Sequence, residues 1–263
     1  MKKAVSAIIK DVRTAIDEIA LNDADFAGDE DNQELDSIIC SKIKEAVDFV
    51  HGNAAYSIID ISDKCSTEGS DNSSTEGADN SSNDGSDNSS NDGSVKCMEA
   101  TSTTRDDLVY TINRPTDFHR FLFGTMDCWG EHVLETIDVG TEDYVLALDP
   151  VVGATPYRPA IAYDGLNFMF IKGTGKDKDK DKDKASLYYL PVCSYDHTKG
   201  TTEEKTTTEG TTTATTDIII NKSLYTALIY QLAGLTLLTL GEQRADDMFN
   251  LAMTHMGING RKE

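Results

Sequence analysis

The chain has 263 residues, of which 24 are basic and 46 acidic, and its formal charge is −22. That balance argues against a surface built to grip nucleic acid, because phosphate binding needs clustered Lys and Arg. The five cysteines (Cys40, Cys65, Cys97, Cys128, Cys193) are odd in number and widely spaced, with no C-x-x-C pair. A zinc site or a disulfide framework is therefore not expected, and reduced thiols in a cytoplasm are.

The first residues, Met1–Ile9, imitate a signal peptide, but Lys10, Asp11 and Arg13 break the apolar run before it reaches signal length. No export signal is expected. The same stretch reads better as an amphipathic helix, with Val5, Ile8, Ile9, Val12, Ile16 and Ile19 on one stripe. An acidic loop over Asn22–Asn32 separates it from a second helix. There Leu35, Ile38, Ile39, Ile43, Val47 and Val50 repeat the pattern, and Gly52 is expected to stop it.

The period then changes. Ala55–Ser62, Leu108–Asn113, Glu131–Val139, Tyr144–Leu148, Leu166–Lys172 and Ser186–Val192 are strand candidates, rich in β-branched and aromatic residues. Short strands with Gly and Pro punctuation point to a small antiparallel sandwich or barrel. Three inserts interrupt this region. Residues 66–94 are a degenerate acidic octapeptide repeat, residues 176–184 alternate Lys and Asp, and residues 201–216 are mostly Thr with Glu and Gly. None has apolar surface enough to offset its ordering entropy, so mobile loops are expected. The octads lack the ligand order of a calcium loop. Their sequons at Asn72, Asn80 and Asn88 mean little without a secretion signal. Gly173–Lys176 lacks the spacing of a phosphate loop, since Phe170 and Asp177 stand where Gly and Ser or Thr are needed.

Near the end, Leu224–Leu240 offers 17 residues without a charge, roughly 25 Å of helix against a hydrocarbon core of about 30 Å. A buried core helix is the expected reading, and Ser223 or Asn221 can cap it. Past Gly241, the residues Ala245, Met248, Phe249, Ala252, Met253 and Met256 make a second apolar face, and Gly257 can close that helix in the left-handed conformation. A hairpin, or one helix flexed at Gly241, is expected, with the stripe of Met248, Phe249, Met253 and Met256 serving the core or, as the alternative, a neighbouring subunit. The fold class is α+β: a helical bundle of the N- and C-terminal helices with a central antiparallel β-sandwich or barrel. The expected divisions are a helical pair at 1–53, a β-domain at 54–200 with inserts at 66–94 and 176–184, a Thr-rich linker at 201–222, and a helical hairpin at 223–263.

Catalytic constellations are thin. His119, Cys128 and His132, with Asp127 and Glu131 beside them, allow a metal or Cys–His reading, yet no H-E-x-x-H and no nucleophile elbow occurs. No paired carboxylates stand out for acid–base work. No catalytic, cofactor-binding or metal-binding residue is therefore assigned.

The most specific stretch is Arg114–Thr136 (RPTDFHRFLFGTMDCWGEHVLET), followed by Asp143–Leu148 (DYVLAL), Tyr157–Ile171 (YRPAIAYDGLNFMFI) and Ser186–Val192 (SLYYLPV). A Pro-x-Asp-Phe segment enters a β-region, a Trp follows about a dozen residues later, and an Arg-Pro turn precedes a hairpin. With a helical pair before it and the Ala245–Met253 helix after it, the whole resembles the head-to-tail adaptors of short-tailed phages. These are the tail tubular protein A or ring proteins, including those of crAss-like phages. The resemblance implies a virion structural protein and no enzyme. It implies a homo-oligomeric ring, a dodecamer by expectation, at the head–tail junction below the portal protein. That ring would meet other tail and ring proteins and form part of the DNA exit channel. DNA would pass it without specific binding, where like charge is useful, and no membrane is involved. Assembly follows synthesis in the host cytoplasm. The three inserts depart from the family's pattern. The alternatives are a surface-displayed binding protein with the Ser/Thr-rich inserts as stalks, which the missing signal disfavours, and a small metal-dependent enzyme using His119, Cys128 and His132.

Overall fold

The computed structural model describes residues 1–19, 29–61, 94–100, 109–172, 184–196 and 217–258. The octad insert up to its last residue, the insert at 201–216, the alternating run up to Asp183, and Cys65 lie outside the described residues. The fold is α+β, and the chain divides into two units. One joins residues 1–63 to 190–263, and the other covers 64–189.

In the first unit, a short strand β1 (Lys2–Ala4) leads into helix α1 (Val5–Ile19), followed by helix α2 (Asp29–Asn53). Ile8 and Val12 of α1 and Ile39, Ile43, Val47 and Val50 of α2 are fully buried, as the 3.6-residue period predicts. Helix α2 starts at Asp29, inside the expected loop and directly after Gly28, because no Gly or Pro interrupts the sequence from there to Gly52. It also runs through Gly52 to Asn53, where the Asn53 side chain donates to Phe49 O at 2.8 Å. The strand expected over Ala55–Ser62 does not form in its described part, which turns instead. Its backbone bonds go elsewhere. The Ala55 N–H donates to Met256 O at 2.8 Å and the Asp60 N–H to the Asn221 side chain at 3.2 Å, which leaves no ladder to complete.

A 3-10 turn (Lys222–Leu224) opens helix α4 (Tyr225–Thr239), and helix α5 (Ala245–His255) follows. The chain reverses through Gly241, whose φ of 77° suits a residue without Cβ. Helix α4 packs against α1, α2 and α5. Its Leu228, Leu232 and Ala233 are fully buried. No helix among the described residues is long and apolar enough to cross a membrane. Gly234 lets the Phe249 ring of α5 approach, since a Cβ there would stand 2.6 Å from Phe249 Cε1. On α5, Ala245, Met248, Ala252 and Met256 are buried, but Met253 is 38% exposed. The core role expected of Met253 is therefore corrected: its position on the helix turns it off the buried face.

Asn221 holds this unit's turns together. Its side chain caps the 3-10 turn by accepting from Ser223 N–H at 3.2 Å, accepts from Asp60 N–H, and donates to Asp60 O at 2.9 Å, all while fully buried. Asn221→Ala should strand these partners, and each buried group left unsatisfied costs about 1–3 kcal/mol. Thermal melting of the variant should show a clear drop. Strand β9 (Asp217–Ile219) pairs antiparallel with β1.

The second unit holds two sheets. One has the order β2 (Lys96–Ala100), β8 (Ala185–Pro191), β4 (Phe118–Met126), with the last residues of β8 passing into the first unit. The other has the order β3 (Val109–Asn113), β7 (Asn167–Ile171), β6 (Ala160–Tyr163), β5 (Ile137–Asp138). β3–β7 and β6–β7 are antiparallel, whereas β5 runs parallel to β6, so the second sheet is mixed and not purely antiparallel as expected. One buried cluster draws on both sheets: Met126, Leu187 and Tyr189 from the first, and Tyr110, Ile161, Phe168 and Phe170 from the second, with Trp129 beside them. Of the expected strand Glu131–Val139, only Ile137–Asp138 and a bridge from Val133 to Gly124 form. Tyr144–Leu148 is not a strand: Tyr144 to Ala147 lie on helix α3 (Glu142–Ala147), and Leu148 stands at its C-cap. Thr141 stands at its N-cap in extended backbone, with Glu142 and Asp143 in the first turn, a favourable start for a helix.

Candidate functional site

The residues of the Pro-x-Asp-Phe segment fasten the start of β4. Asp117 accepts from Lys96 Nζ at 2.7 Å and from Tyr189 Oη at 3.0 Å, tying β2 and β8 to the entry of β4. The next ring, Phe118, lies 5.3 Å from Phe168 and 5.8 Å from Tyr189, with the Arg114 guanidinium over it. Partial burial pushes the Asp117 carboxyl up, but the hydrogen bonds from Lys96 and Tyr189 and the lysine's charge outweigh it and hold the group below its ordinary value. A carboxylate with a depressed folded pKa adds stability above its unfolded value, about 4, and loses it as pH falls through the lower folded value. Melting temperature followed against pH should therefore fall in the acid range below about 4, and Asp117→Asn should flatten that fall.

His119, Cys128 and His132 do not form a ligand set. Among the described residues no three His, Cys, Asp or Glu side chains gather in a way that could hold a metal. His119 lies on β4, Cys128 packs half-buried against the aromatic cluster, and the His132 ring lies 5.1 Å from Phe123. The thiols of Cys40, Cys97 and Cys193 are pushed up by burial, which keeps them protonated and poor nucleophiles at neutral pH. The indole of Trp129 is packed on Phe170 at 5.8 Å, a core position.

The feature that stands out is a surface on α3 and the loop after it. Tyr144 and Ala147, one helical step apart, are half-buried against the small cluster of Ala154, Ala160, Ala162 and Ile171. The remaining apolar side chains of the segment then point away. Val145 is 67% exposed, Val151 87% and Tyr157 89%, with Leu146, Leu148 and Val152 exposed as well. Six exposed apolar side chains fall within one short stretch, a concentration of the kind found at interaction sites.

The backbone beneath this face is tightly closed. Asp149 accepts from the N–H groups of Val151 at 2.7 Å and Val152 at 3.0 Å, and these bonds hold its carboxyl below the ordinary value. The Gly153 N–H donates to Asp149 O at 2.9 Å and the Ala154 N–H to Ala147 O at 2.9 Å. A Cβ on Gly153 would meet the carbonyl oxygens of Ala147 at 2.6 Å and Leu146 at 2.8 Å, backbone atoms that cannot step aside, so only glycine fits. Beside the loop lies a cleft of about 270 Å³, lined by Ile137, Leu146, Ala147, Val152 and Pro159, with Asp143 and Arg158 among its polar groups. Its lining thus mixes apolar side chains with one acid and one base, and it is open to solvent on one side.

The strand reading of Tyr144–Leu148 concealed this face. Alternation would bury Tyr144, Leu146 and Leu148 together, whereas the helix half-buries Tyr144 and Ala147 and exposes the leucines. The acidic pair after Thr141 was the signal for the helix. No protein-family model matches the chain, and no curated protein sequence shows significant similarity to it.

Proposed function

We propose that the chain is a virion structural protein, a subunit of the connector ring between head and tail of a tailed phage, and has no catalytic role. It docks below the portal protein, meets other tail proteins, and lines part of the channel through which DNA leaves. What supports this reading is the adaptor-like pattern across Arg114–Val192 and the flanking helices. The single structural observation behind it is the exposed apolar face of residues 145–157, because a surface of that kind is stable in water when a partner covers it. In this proposal the helices α1, α2, α4 and α5 make a bundle and the two sheets a sandwich, giving each ring subunit one helical and one β module. Closed rings require heterologous contacts, in which different patches of neighbouring subunits meet.

Two experiments bear on it. Sedimentation velocity of the purified chain should show a ring-sized species many times heavier than the 28.7 kDa monomer. A mobility-shift assay with duplex DNA at low salt, where phosphate contacts are least screened, should show no binding, in keeping with the charge of −22. Tight binding that weakens steeply with salt would speak against a channel wall.

A further inference from the structure

We infer that the outer face of α3 and the loop through Arg158 docks a basic amphipathic segment of a neighbouring protein, with an apolar side chain of that segment seated in the cleft beside Leu146 and Val152. This rests on the reading of the chain as an assembly subunit. Charge selects the occupant. The exposed apolar side chains are interleaved with the exposed carboxylates Glu142, Asp143 and Asp149, and Asp138 precedes them. Arg158 is the one Lys or Arg between residues 121 and 171. A second copy meeting this face with its own would bring acid to acid, and like charge at an interface opposes association. A partner whose apolar residues are flanked by Lys or Arg meets the carboxylates with the opposite sign and covers the apolar side chains at once. The geometry is prepared for it. Gly153 and the Asp149 hydrogen bonds fix the loop before any partner arrives, so little ordering is needed on this side of the contact.

The test titrates the full-length chain into two labelled synthetic helical peptides with the same leucine face, one flanked by lysines and the other by glutamates. Fluorescence anisotropy is read at about 0.15 M salt, where exposed charges are screened beyond about 8 Å. The lysine peptide should bind at least about tenfold more tightly than the glutamate peptide. The triple variant Leu146→Ser, Val151→Ser, Val152→Ser keeps the charge, changes only exposed side chains and should melt like the wild type, yet it should lose about tenfold in affinity for the lysine peptide. Glu142→Gln with Asp143→Asn should weaken binding and reduce its salt dependence. Equal binding of wild type and the serine variant, or of the two peptides, would overturn the inference. So would self-association of the wild type that the serine variant abolishes, since a second copy would then occupy the face. Rings without peptide binding would leave the connector reading standing and remove this inference. Peptide binding without rings would do the reverse.

Discussion

Leu232→Asp is expected to leave the chain unable to fold. Leu232 is fully buried in the middle of α4, a helix whose neighbours are α1, α2 and α5 and whose Leu228 and Ala233 are fully buried too. A carboxylate there has no partner. It must stay charged in an apolar interior at a cost of several kcal/mol, or bind a proton and still bury an unsatisfied acid. Natural domains are stable by only about 5–15 kcal/mol, so either course takes most of the margin. Soluble expression with circular dichroism and melting is the measurement. A variant that melts like the wild type would remove α4 from the centre of its unit. Met253→Ala supplies the contrast. With Met253 more than a third exposed, the loss should stay well under the roughly 2–5 kcal/mol typical of a buried Met truncation.

The second large effect is expected at Gly124, on β4. A Cβ there would overlap Ile161 Cδ1 and stand 2.8 Å from Phe170 Cε1, side chains of β6 and β7 that are both fully buried. Gly124 is thus a point of close approach between strands of the two sheets. Gly124→Val should cost about 1–3 kcal/mol or more, because neither neighbour has solvent to move into. Gly234→Ala, which faces the half-buried and therefore movable Phe249 ring, should cost less. Comparing the two variants by denaturant melting separates a close approach inside a core from one at its margin.

The helices were legible because their buried residues recur at the period of an α-helix. Spacing alone places Ile8 and Val12 on one inner face, and Ile39, Ile43, Val47 and Val50 on another. The turns at Gly241 and Gly257 were legible for a similar reason, as both adopt positive φ where only glycine is at ease. Strands were harder. In β4 the consecutive residues Leu122, Phe123 and Gly124 are all buried, so the strand has no alternating period there and is absent from the strands expected from the sequence. β6, with alanine at two of its four positions, has little β propensity and is held by its neighbours. Ala55–Ser62 has the composition of a strand, yet Asn221 and Met256 take its backbone bonds, a tertiary competition invisible in the local sequence. The candidate site was least legible. Whether Val151 or Tyr157 is covered depends on what packs over it. That is decided by α3 turning Tyr144 and Ala147 inward, and by a loop closed on Gly153 and Asp149.

The most direct measurement of the central claim is electron microscopy of virions labelled with gold-conjugated antibody raised against this chain, beside negative-stain images of the purified protein. The connector reading predicts label at the single vertex where head meets tail, and ring-shaped particles in the purified sample. Virions that carry no label at that vertex, with a purified protein that stays monomeric, would contradict it.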